Sequence, residues 1–373
     1  MALGSIPAAP IKLGRRLLGT QFVEALVTPS PIERYVDLFD PTWSRRDVRA
    51  QITKVKHQTL RSATLTLRPN ANWKGFEAGQ HIGVTVEIDG ALITRFYSPA
   101  SAATKRKSEI EITVTAHPKG KVSSYLVEHA RPGMVVGMSP AEGDFVLPAL
   151  HPRNVLLISG GSGITPVMSI LRTLCGQKHS GPITFIHYAR SPKDMLYKDE
   201  LAMIAKENPN VSVVHGITRG RAVKAYLNGH LTRKQLKSAC PQYAKAETYV
   251  CGPTALVEAA ETIWTKDGLA EKFHAERFVL PEPEIVVGDA TGKIHFAKSG
   301  VDIDNDGRPL LAQAEDAGLS PRCGCRMGIC HTCIAHVPSG SVRNVQTGKV
   351  TTVNDEYVQI CVNAPIGDFE IEL

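Results

Sequence analysis

The sequence predicts a multi-domain fold in which an antiparallel β-barrel, an α/β domain and a small β-rich domain follow one another. Strands within residues 81–115 alternate apolar and polar residues, and from residue 155 apolar strands alternate with amphipathic helices. The stretch "PRCGCRMGICHTC" at 321–333 places four cysteines within eleven positions. The predicted boundaries are 1–45 for an N-terminal extension, 46–150 for the barrel, 151–278 for the α/β domain, 279–290 for a linker and 291–373 for the last domain.

The composition is that of an ordinary globular chain: 373 residues, 43 % hydrophobic, 21 % charged, with a formal net charge of +7. A charge this mild is typical of a basic face for an acidic ligand, and we expect no nucleic-acid partner. No run of 18 apolar residues occurs, so no membrane-spanning helix is predicted. The N-terminus makes a poor secretory signal, which predicts a cytoplasmic protein with reduced thiols. The cysteines are therefore expected to serve metal or redox chemistry.

The barrel is predicted from "HIGVTVEIDG", an alternating strand with a hairpin turn at Asp89-Gly90, and from the later strand "EIEITVTA". Between them stands "ALITRFYSPAS", and "GKVSSYL" follows as the start of a short helix. Together these motifs resemble the flavin-binding barrel of the ferredoxin–NADP reductase superfamily. From the residues alone, an edge-strand arginine and a core tyrosine would also explain the R-x-Y-S motif.

The resemblance implies an FAD site. In that family the tyrosine stacks on the flavin ring, the arginine pairs with phosphate, the serine touches the ring near N5, and the helix start binds pyrophosphate. An aromatic face, a guanidinium and a helix N-terminus suit these groups physically. The implied flavin-binding residues are Arg95, Phe96, Tyr97, Ser98, Gly120 and Ser123. FAD rather than FMN also rests on the resemblance, because one related group with this domain order uses FMN.

The α/β domain opens with "NVLLISGGSGITPVMSIL", a buried strand, a glycine-rich turn and a helix, as a dinucleotide site requires. The turn resembles the superfamily's G-x-G-x-x-P pyrophosphate turn, "YVCGP" resembles its C-G-P turn beside the nicotinamide, and "HAERF" resembles its closing strand near the flavin. The residues implied are Gly161, Gly163, Thr165, Pro166, Cys251, Gly252, Pro253, Glu276 and Phe278. Ser98, Cys251 and Glu276 are the implied catalytic residues, whereas a buried structural cysteine is the simpler alternative for Cys251.

The choice between NADPH and NADH is predicted from the strand ends. The second strand, "ITFIHYA", ends in Arg190 and not in the acid that binds a ribose 2′-hydroxyl in NAD sites. The later run "ITRGRAVKAYL" resembles the adenosine-phosphate clamp of NADP-using relatives, which implies NADPH. The clamp residues are Thr218, Arg219, Lys224 and Tyr226. A solvated basic loop is the alternative for this run.

The cysteine spacing predicts the metal centre. Cys325, Cys330 and Cys333 form C-x4-C-x2-C and Cys361 stands alone further on, which is the plant-type arrangement for a [2Fe–2S] cluster. Zinc sites usually show two separated short pairs instead. Cys323 is left over, and we expect a small thiol packed beside the cluster, with a swap of ligand as the alternative.

Residues 291–373 then resemble a plant-type ferredoxin domain of β-grasp fold. "KIHFAKSGVDIDNDG" is interpreted as a hairpin with its turn at residues 305–307, "PLLAQAEDAG" as a helix closed by Gly318, and "GDFEIEL" as the last strand. Pro281 and Pro283 predict a short, stiff linker before it. Residues 1–45 could form a basic amphipathic helix on a membrane surface or a partner, or pack along the barrel with Trp43 as an anchor.

The modules together imply an oxidoreductase that passes electrons from NADPH through FAD and a [2Fe–2S] cluster to a separate acceptor protein. Along nearly its whole length the chain resembles actinobacterial reductases that supply a membrane di-iron acyl desaturase, which implies fatty-acid desaturation at the inner face of the membrane. The alternative is an NADH-dependent reductase of a Rieske ring-hydroxylating oxygenase or a cytochrome P450. A sensor that binds the cofactors without turnover is disfavoured, because all three implied catalytic residues are present.

Overall fold

The computed structural model describes residues 40–88, 90–103, 109–118, 120–220, 224–277, 291–323, 333–345 and 348–373. The predicted N-terminal helix, the linker prolines, Asp89, Phe278 and two of the predicted cluster ligands, Cys325 and Cys330, lie outside these residues. Within them the predicted fold class is confirmed: an antiparallel sheet, a parallel sheet with helices and a small C-terminal β domain follow in order.

Six antiparallel strands form the first sheet, in the order β4-β3-β6-β1-β2-β5. They are β1 (Val48–Thr59), β2 (Ser62–Pro69), β3 (His81–Ile88), β4 (Ala91–Tyr97), β5 (Ile110–Thr115) and β6 (Val135–Glu142). Side chains such as Ile52, Leu65 and Ile112 point inward and are completely buried or nearly so, because a strand turns alternate residues to one face. Helix α1 (Lys121–His129) covers this core with Val122 and Leu126.

The second sheet is wholly parallel, with the strand order β10-β9-β8-β7-β11-β12. Its elements are β7 (Val155–Gly160), α2 (Ile164–Gly176), β8 (Ile183–Ala189), α3 (Lys198–Glu207), β9 (Val211–Ile217), β10 (Leu227–Asn228), α4 (Arg233–Ala239), β11 (Glu247–Gly252), α5 (Thr254–Lys266) and β12 (Phe273–Arg277). The strand order reverses between β7 and β11. Ligands of such sheets bind at the carboxyl ends of the strands beside that point.

Arg172 on α2 fastens the two sheets to each other. Its guanidinium donates to Glu200 at 2.7 Å, to Glu111 of β5 at 2.9 Å and to the carbonyl oxygen of Ala100 at 2.8 Å. Tyr197 adds a hydrogen bond to Thr113 across the same boundary. Charge-assisted bonds of this kind are stronger than neutral ones, so they fix the two sheets to each other.

The C-terminal domain consists of two three-stranded sheets around a helix, in the orders β14-β13-β18 and β16-β15-β17. The elements are β13 (Lys293–Phe296), β14 (Val301–Asp304), α6 (Leu310–Asp316), β15 (Ile334–Asn344), β16 (Val350–Gln359), β17 (Asn363–Ile366) and β18 (Phe369–Ile371). Ile294, Phe296, Leu310 and Val337 are completely buried between them.

In the C-terminal domain, the predicted position of the hairpin turn at residues 305–307 is wrong. Strands β13 and β14 are joined at residues 297–300, where Gly300 has a φ of +65° and its N–H donates to the Phe296 carbonyl at 2.8 Å. Asn305 follows β14 and is buried, and its side-chain amide donates to the carbonyl oxygens of Thr291 and Pro365. The N-D-G signal therefore marks a real turn, but one that leads from β14 towards α6.

Candidate functional site

A cleft of about 1190 Å³ separates the antiparallel sheet from the carboxyl ends of the parallel strands. Most of the predicted flavin and nicotinamide residues line it. They are Arg95, Phe96, Tyr97, Ser98, Gly120, Ser123, Gly161, Thr165, Arg190, Thr218, Arg219, Gly252, Pro253 and Glu276. The lining does not include Gly163, Pro166, Lys224, Tyr226 or Cys251.

One wall of the cleft is the end of β4. Tyr97 lines it, and burial raises the pKa of its hydroxyl far above the ordinary value. Arg95 donates to the carbonyl oxygen of Thr94 at 2.7 Å, and among the described residues no carboxylate pairs with it. Ser98 is 1 % exposed and its Oγ has no hydrogen-bond partner among the described residues. A buried hydroxyl without a partner indicates that a polar ligand completes this wall.

The start of α1 forms the next part of the same wall. No side chain caps its N-terminus, and its first turn contains no acidic residue. The Ser123 hydroxyl lies 3.1 Å from the backbone nitrogen of His117, and a Cβ at Gly120 would come within 2.5 Å of that hydroxyl. The uncapped N–H groups of a helix this long attract anions, and the pyrophosphate position expected here stays a prediction.

The glycine turn after β7 forms the opposite wall. Gly161 lines the cleft with a φ of +55°, a conformation that residues with a side chain rarely adopt. A Cβ at Gly163 would lie 2.5 Å from the carbonyl oxygen of Cys251, so this glycine allows α2 to pack against β11. Pro166 is buried within α2. Gly163 and Pro166 therefore shape the turn from behind, whereas Gly161 reaches the cleft.

His81 and Glu276 meet at the floor of the cleft, and Cys251 is buried directly behind Glu276. Cys251 and Glu276 are paired in register on the neighbouring strands β11 and β12, and the Cys251 Sγ lies 3.9 Å from a Glu276 carboxylate oxygen. The other Glu276 oxygen is 3.3 Å from His81 Nδ1. Cys251 is completely buried, and burial, reinforced by the Glu276 charge, raises the pKa of its thiol well above the ordinary value. The thiol thus remains neutral behind the carboxylate.

His81 is a residue of this floor that sequence reasoning missed. It lines the cleft at the first position of β3, and its Nε2 is buried without a partner among the described residues. Its ring lies edge-on to Phe96 at 5.3 Å. A polar residue at the start of the apolar run "HIGVTV" was the available signal, but nothing in the sequence links it to Glu276.

Arg190 and Arg219 stand together on the nucleotide side of the cleft. The backbone N–H of Arg219 donates to the Arg190 carbonyl at 3.0 Å, so the two guanidinium groups extend from adjacent strand ends. No described carboxylate forms a salt bridge with either. Lys224 is exposed away from the cleft, and Tyr226 packs against Ile217 and the His215 ring. The structure therefore brings together half of the predicted phosphate clamp.

Two of the four predicted cluster ligands are described. Cys333 and Cys361 are 2 % and 7 % exposed, and the backbone N–H of Ile360 donates to the Cys333 carbonyl at 3.1 Å. This bond places the two cysteine-bearing segments side by side at one end of the domain. Cys323 is half-buried and packs against the same core, and its expected place beside the cluster stays a prediction.

No helix in the described part of the chain is long and apolar enough to cross a membrane.

The comparisons with known proteins agree with this geometry. Residues 50–147 match the oxidoreductase FAD-binding domain, 157–262 the oxidoreductase NAD-binding domain and 294–365 the 2Fe-2S iron-sulfur cluster binding domain. The chain is 33 % identical over 352 residues to an NADPH oxidoreductase of Mycobacterium tuberculosis, covering 93 % of this chain and 90 % of the relative. This chain belongs to the family of reductases that join FAD-, NAD- and 2Fe-2S-binding domains.

Other members serve oxygenases. The glycine betaine monooxygenase reductase subunit of Pseudomonas aeruginosa is 31 % identical over 323 residues, covering 80 % of this chain and 87 % of the relative. The solved structure of phthalate dioxygenase reductase superposes with a TM-score of 0.60 over 87 % of this chain and 97 % of that one. At 21 % identity it supports the fold alone. The protein is thus an oxidoreductase of the ferredoxin-reductase type.

Proposed function

We propose that this reductase takes electrons from NADPH and delivers them, through FAD and a [2Fe–2S] cluster, to a separate oxygenase. The observation that carries the proposal is the single cleft whose one wall has the features of a flavin site and whose other wall has those of a nicotinamide nucleotide site. A bound flavin would supply the chemistry that accepts two electrons as one hydride and releases them one at a time, and a bound cluster would carry single electrons.

The residues of the antiparallel wall fit a flavin nucleotide. Ser98 offers a buried hydroxyl that lacks a partner, Tyr97 offers a ring face, and Arg95 offers a guanidinium that no described carboxylate neutralises. The uncapped start of α1 offers backbone N–H groups for phosphate beside them. In the proposal these groups bind and orient the cofactor.

Glu276, His81 and Cys251 form the proposed catalytic floor together with Ser98. The neutral Cys251 thiol can donate a weak hydrogen bond to the Glu276 carboxylate, which fixes one oxygen of that group. The second oxygen lies 3.3 Å from His81 Nδ1 at the cleft surface, so the imidazole helps to fix the orientation of the carboxylate. In this arrangement Glu276 is the group presented to the reactants and Cys251 positions it.

NADPH is the proposed electron donor. Arg190 and Arg219 give the cleft rim two guanidinium groups from adjacent strands, in the position where NAD-specific sites present an acid. Asp194 is the acidic residue on this rim, and the Ser191 hydroxyl donates to it at 2.6 Å. The net positive charge of the rim favours a nucleotide that carries a 2′-phosphate.

The four thiolates of Cys325, Cys330, Cys333 and Cys361 are the proposed cluster ligands. Burial of Cys333 and Cys361 on adjacent segments supports this set, since thiolate ligands of iron–sulfur centres are shielded from water.

For the acceptor we propose a membrane di-iron acyl desaturase, which is the partner implied by the sequence resemblance described under Sequence analysis. The alternative acceptor is a Rieske ring-hydroxylating oxygenase or a cytochrome P450, and the similarity to a glycine betaine monooxygenase reductase subunit supports an oxygenase acceptor of this kind equally well. Membrane association through residues 1–45 is proposed only if the acceptor is a membrane desaturase.

The proposal is tested in two stages with protein purified without air. NADPH is expected to reduce cytochrome c through the holoprotein, and a chain that bleaches its flavin yet passes nothing on would contradict the proposed function. Desaturase-containing membranes and purified Rieske oxygenases are then supplied as acceptors in parallel. Formation of an unsaturated acyl product with the membranes alone supports a desaturase as acceptor. Formation of a hydroxylated product with the Rieske oxygenases alone would show that the alternative acceptor is correct.

A further inference from the structure

The outer face of strands β15 and β16 carries a groove of about 200 Å³, whose lining includes Ile334 and Ile360. Ile334 follows Cys333 directly and Ile360 precedes Cys361 directly, so the groove adjoins both described segments that carry proposed cluster ligands. We propose that this groove docks an acidic, partly apolar surface of the acceptor protein, and that Arg322 in its lining pairs with a carboxylate there. The inference rests on the proposed function, because it assigns a docking place to the acceptor of that reaction.

Two large apolar side chains of the groove are exposed to solvent. Tyr357 is 69 % exposed and Ile334 is 48 % exposed, although alternate residues of their strands face the buried core. They share one face because β15 and β16 pair Ile334 with Gln359 and, two positions further along, His336 with Tyr357. An exposed aromatic side chain and an exposed aliphatic one on the same face are typical of a surface that a partner covers.

One cation of the groove has no carboxylate partner. Lys298 is paired with Glu372 at 3.1 Å. His336 lies between Asp355 at 2.9 Å and Glu372 at 3.2 Å. Arg322 is exposed, and within the described part of the chain it forms no salt bridge. The groove therefore presents an unpaired guanidinium beside apolar surface, in a domain that contains 7 Lys and Arg residues against 10 Asp and Glu.

The sign of this charge decides between two occupants, the reductase part of the same chain and an outside acceptor. The reductase part, residues 46–277, contains 31 Lys and Arg residues against 19 Asp and Glu and is therefore predominantly basic. A basic surface would place like charge against Arg322, whereas an acidic surface offers the carboxylate that a guanidinium binds through two parallel hydrogen bonds. The groove therefore suits an outside acceptor, and Tyr357 provides an aromatic contact of the kind that contributes most to binding at protein interfaces.

The test measures NADPH-driven reduction of two probe proteins, basic cytochrome c and acidic cytochrome b5, by the full-length holoprotein at low ionic strength. Arg322→Glu is expected to lower kcat/KM for cytochrome b5 at least about tenfold, because an attractive charge becomes a repulsive one. The same variant should leave kcat/KM for cytochrome c unchanged or raise it. Tyr357→Ala should lower kcat/KM for cytochrome b5 about fivefold through the loss of contact area, with cytochrome c unaffected.

Two variants outside the groove are matched controls. Lys293→Glu makes the same change of charge as Arg322→Glu at an exposed position of β13, and Val350→Ser removes an exposed apolar side chain at the start of β16. Neither should change kcat/KM for either cytochrome by more than about twofold. The two groove variants should also keep the iron content of the wild type and its rate of cluster reduction by the flavin.

Four results would overturn the inference. An equal loss with both cytochromes in Arg322→Glu, or no loss with either, would show that the groove does not select an acidic partner. Slower reduction of the cluster by the flavin in Tyr357→Ala would make the reductase part of this chain the occupant. Loss of iron in either groove variant would make the groove residues a support of the cluster. Failure of the proposed function is distinguishable, because in that case the wild-type protein itself would reduce neither cytochrome with NADPH.

Discussion

The reductase part of the chain, residues 46–277, and the ferredoxin-like part, residues 291–373, differ in how they use charge. The first contains 31 Lys and Arg residues against 19 Asp and Glu, whereas the second contains 7 against 10. In the second, Arg308 is neutralised by Asp306 and Asp316 at 2.8 and 2.6 Å. In the cleft of the first, Arg61, Arg95, Arg190 and Arg219 have no carboxylate partner among the described residues.

The difference between paired and unpaired arginines indicates where anionic ligands bind. An arginine that already has two carboxylates stabilises the fold locally and has little left for a partner. Several unpaired guanidinium groups around one cleft repel one another, so they are retained where phosphates neutralise them. The ferredoxin-like part needs no such surplus, because its predicted prosthetic group is held by thiolates.

The largest expected effect is that of replacing a cysteine of the ferredoxin-like part. Cys361→Ser is expected to abolish cluster binding and to lower NADPH-driven cytochrome c reduction by at least about a hundredfold, since a ligand of the cluster is lost. Reduction of ferricyanide, a small acceptor that can take electrons from the flavin, should stay within about twofold. Cys175→Ser on α2 is the control, and it should leave both activities unchanged. Equal loss of both activities in Cys361→Ser would contradict the proposal that the flavin and the cluster are bound by separate parts of the chain.

The arginines of the rim test the other half of the comparison. The double variant Arg190→Gln/Arg219→Gln should lower kcat/KM for NADPH about a hundredfold and that for NADH less than about threefold, because each guanidinium is expected to make a charge-assisted bond to the 2′-phosphate. Arg233→Gln, which removes an exposed arginine paired with Asp267, should change neither value. If kcat/KM for NADH falls as much as that for NADPH, the two arginines do not bind the 2′-phosphate.

Sequence reasoning found the modules because their signals are local. The glycine turn, the R-x-Y-S strand end and the cysteine spacing each lie within a dozen residues, and the structure places most of the first two on one cleft. His81 was missed because its role depends on Glu276, which lies on a distant strand of the other sheet. The N-D-G turn was misplaced because β13 and β14, at four residues each, are shorter than the sequence pattern suggested.

Glu276 tests the floor of the cleft. Glu276→Gln keeps the shape of the side chain and removes its charge, so the rate of flavin reduction by NADPH should fall about tenfold with little change in the apparent Kd of NADPH. Stopped-flow reduction under anaerobic conditions measures both. An unchanged rate with a raised Kd would make Glu276 a binding residue, and the proposed catalytic floor would be wrong.

The smallest expected effect concerns a buried histidine of the reductase part. His187 on β8 is completely buried against Ser159, and burial, with a contribution from His215, lowers the pKa of its imidazole to about 3. Because the unfolded histidine titrates near 6.5, the unfolded chain binds the extra proton as pH falls below that value, and the native state loses stability. Between about pH 7.5 and pH 5.5 this loss is about 1.4 kcal/mol. Denaturant unfolding at the two pH values should show that the free energy of unfolding of His187→Gln falls by about that much less than that of the wild type. If both proteins lose the same amount of stability, His187 is not the buried group responsible.

The most direct measurement of the central claim is anaerobic mixing of the holoprotein with NADPH, followed at separate wavelengths for the flavin and the iron–sulfur centre. The flavin signal is expected to decay first, and the cluster signal to follow at a rate independent of NADPH concentration. About two iron and two sulfide per chain are also expected. A cluster that stays oxidised while the flavin is fully reduced, or a preparation without iron, would contradict the account.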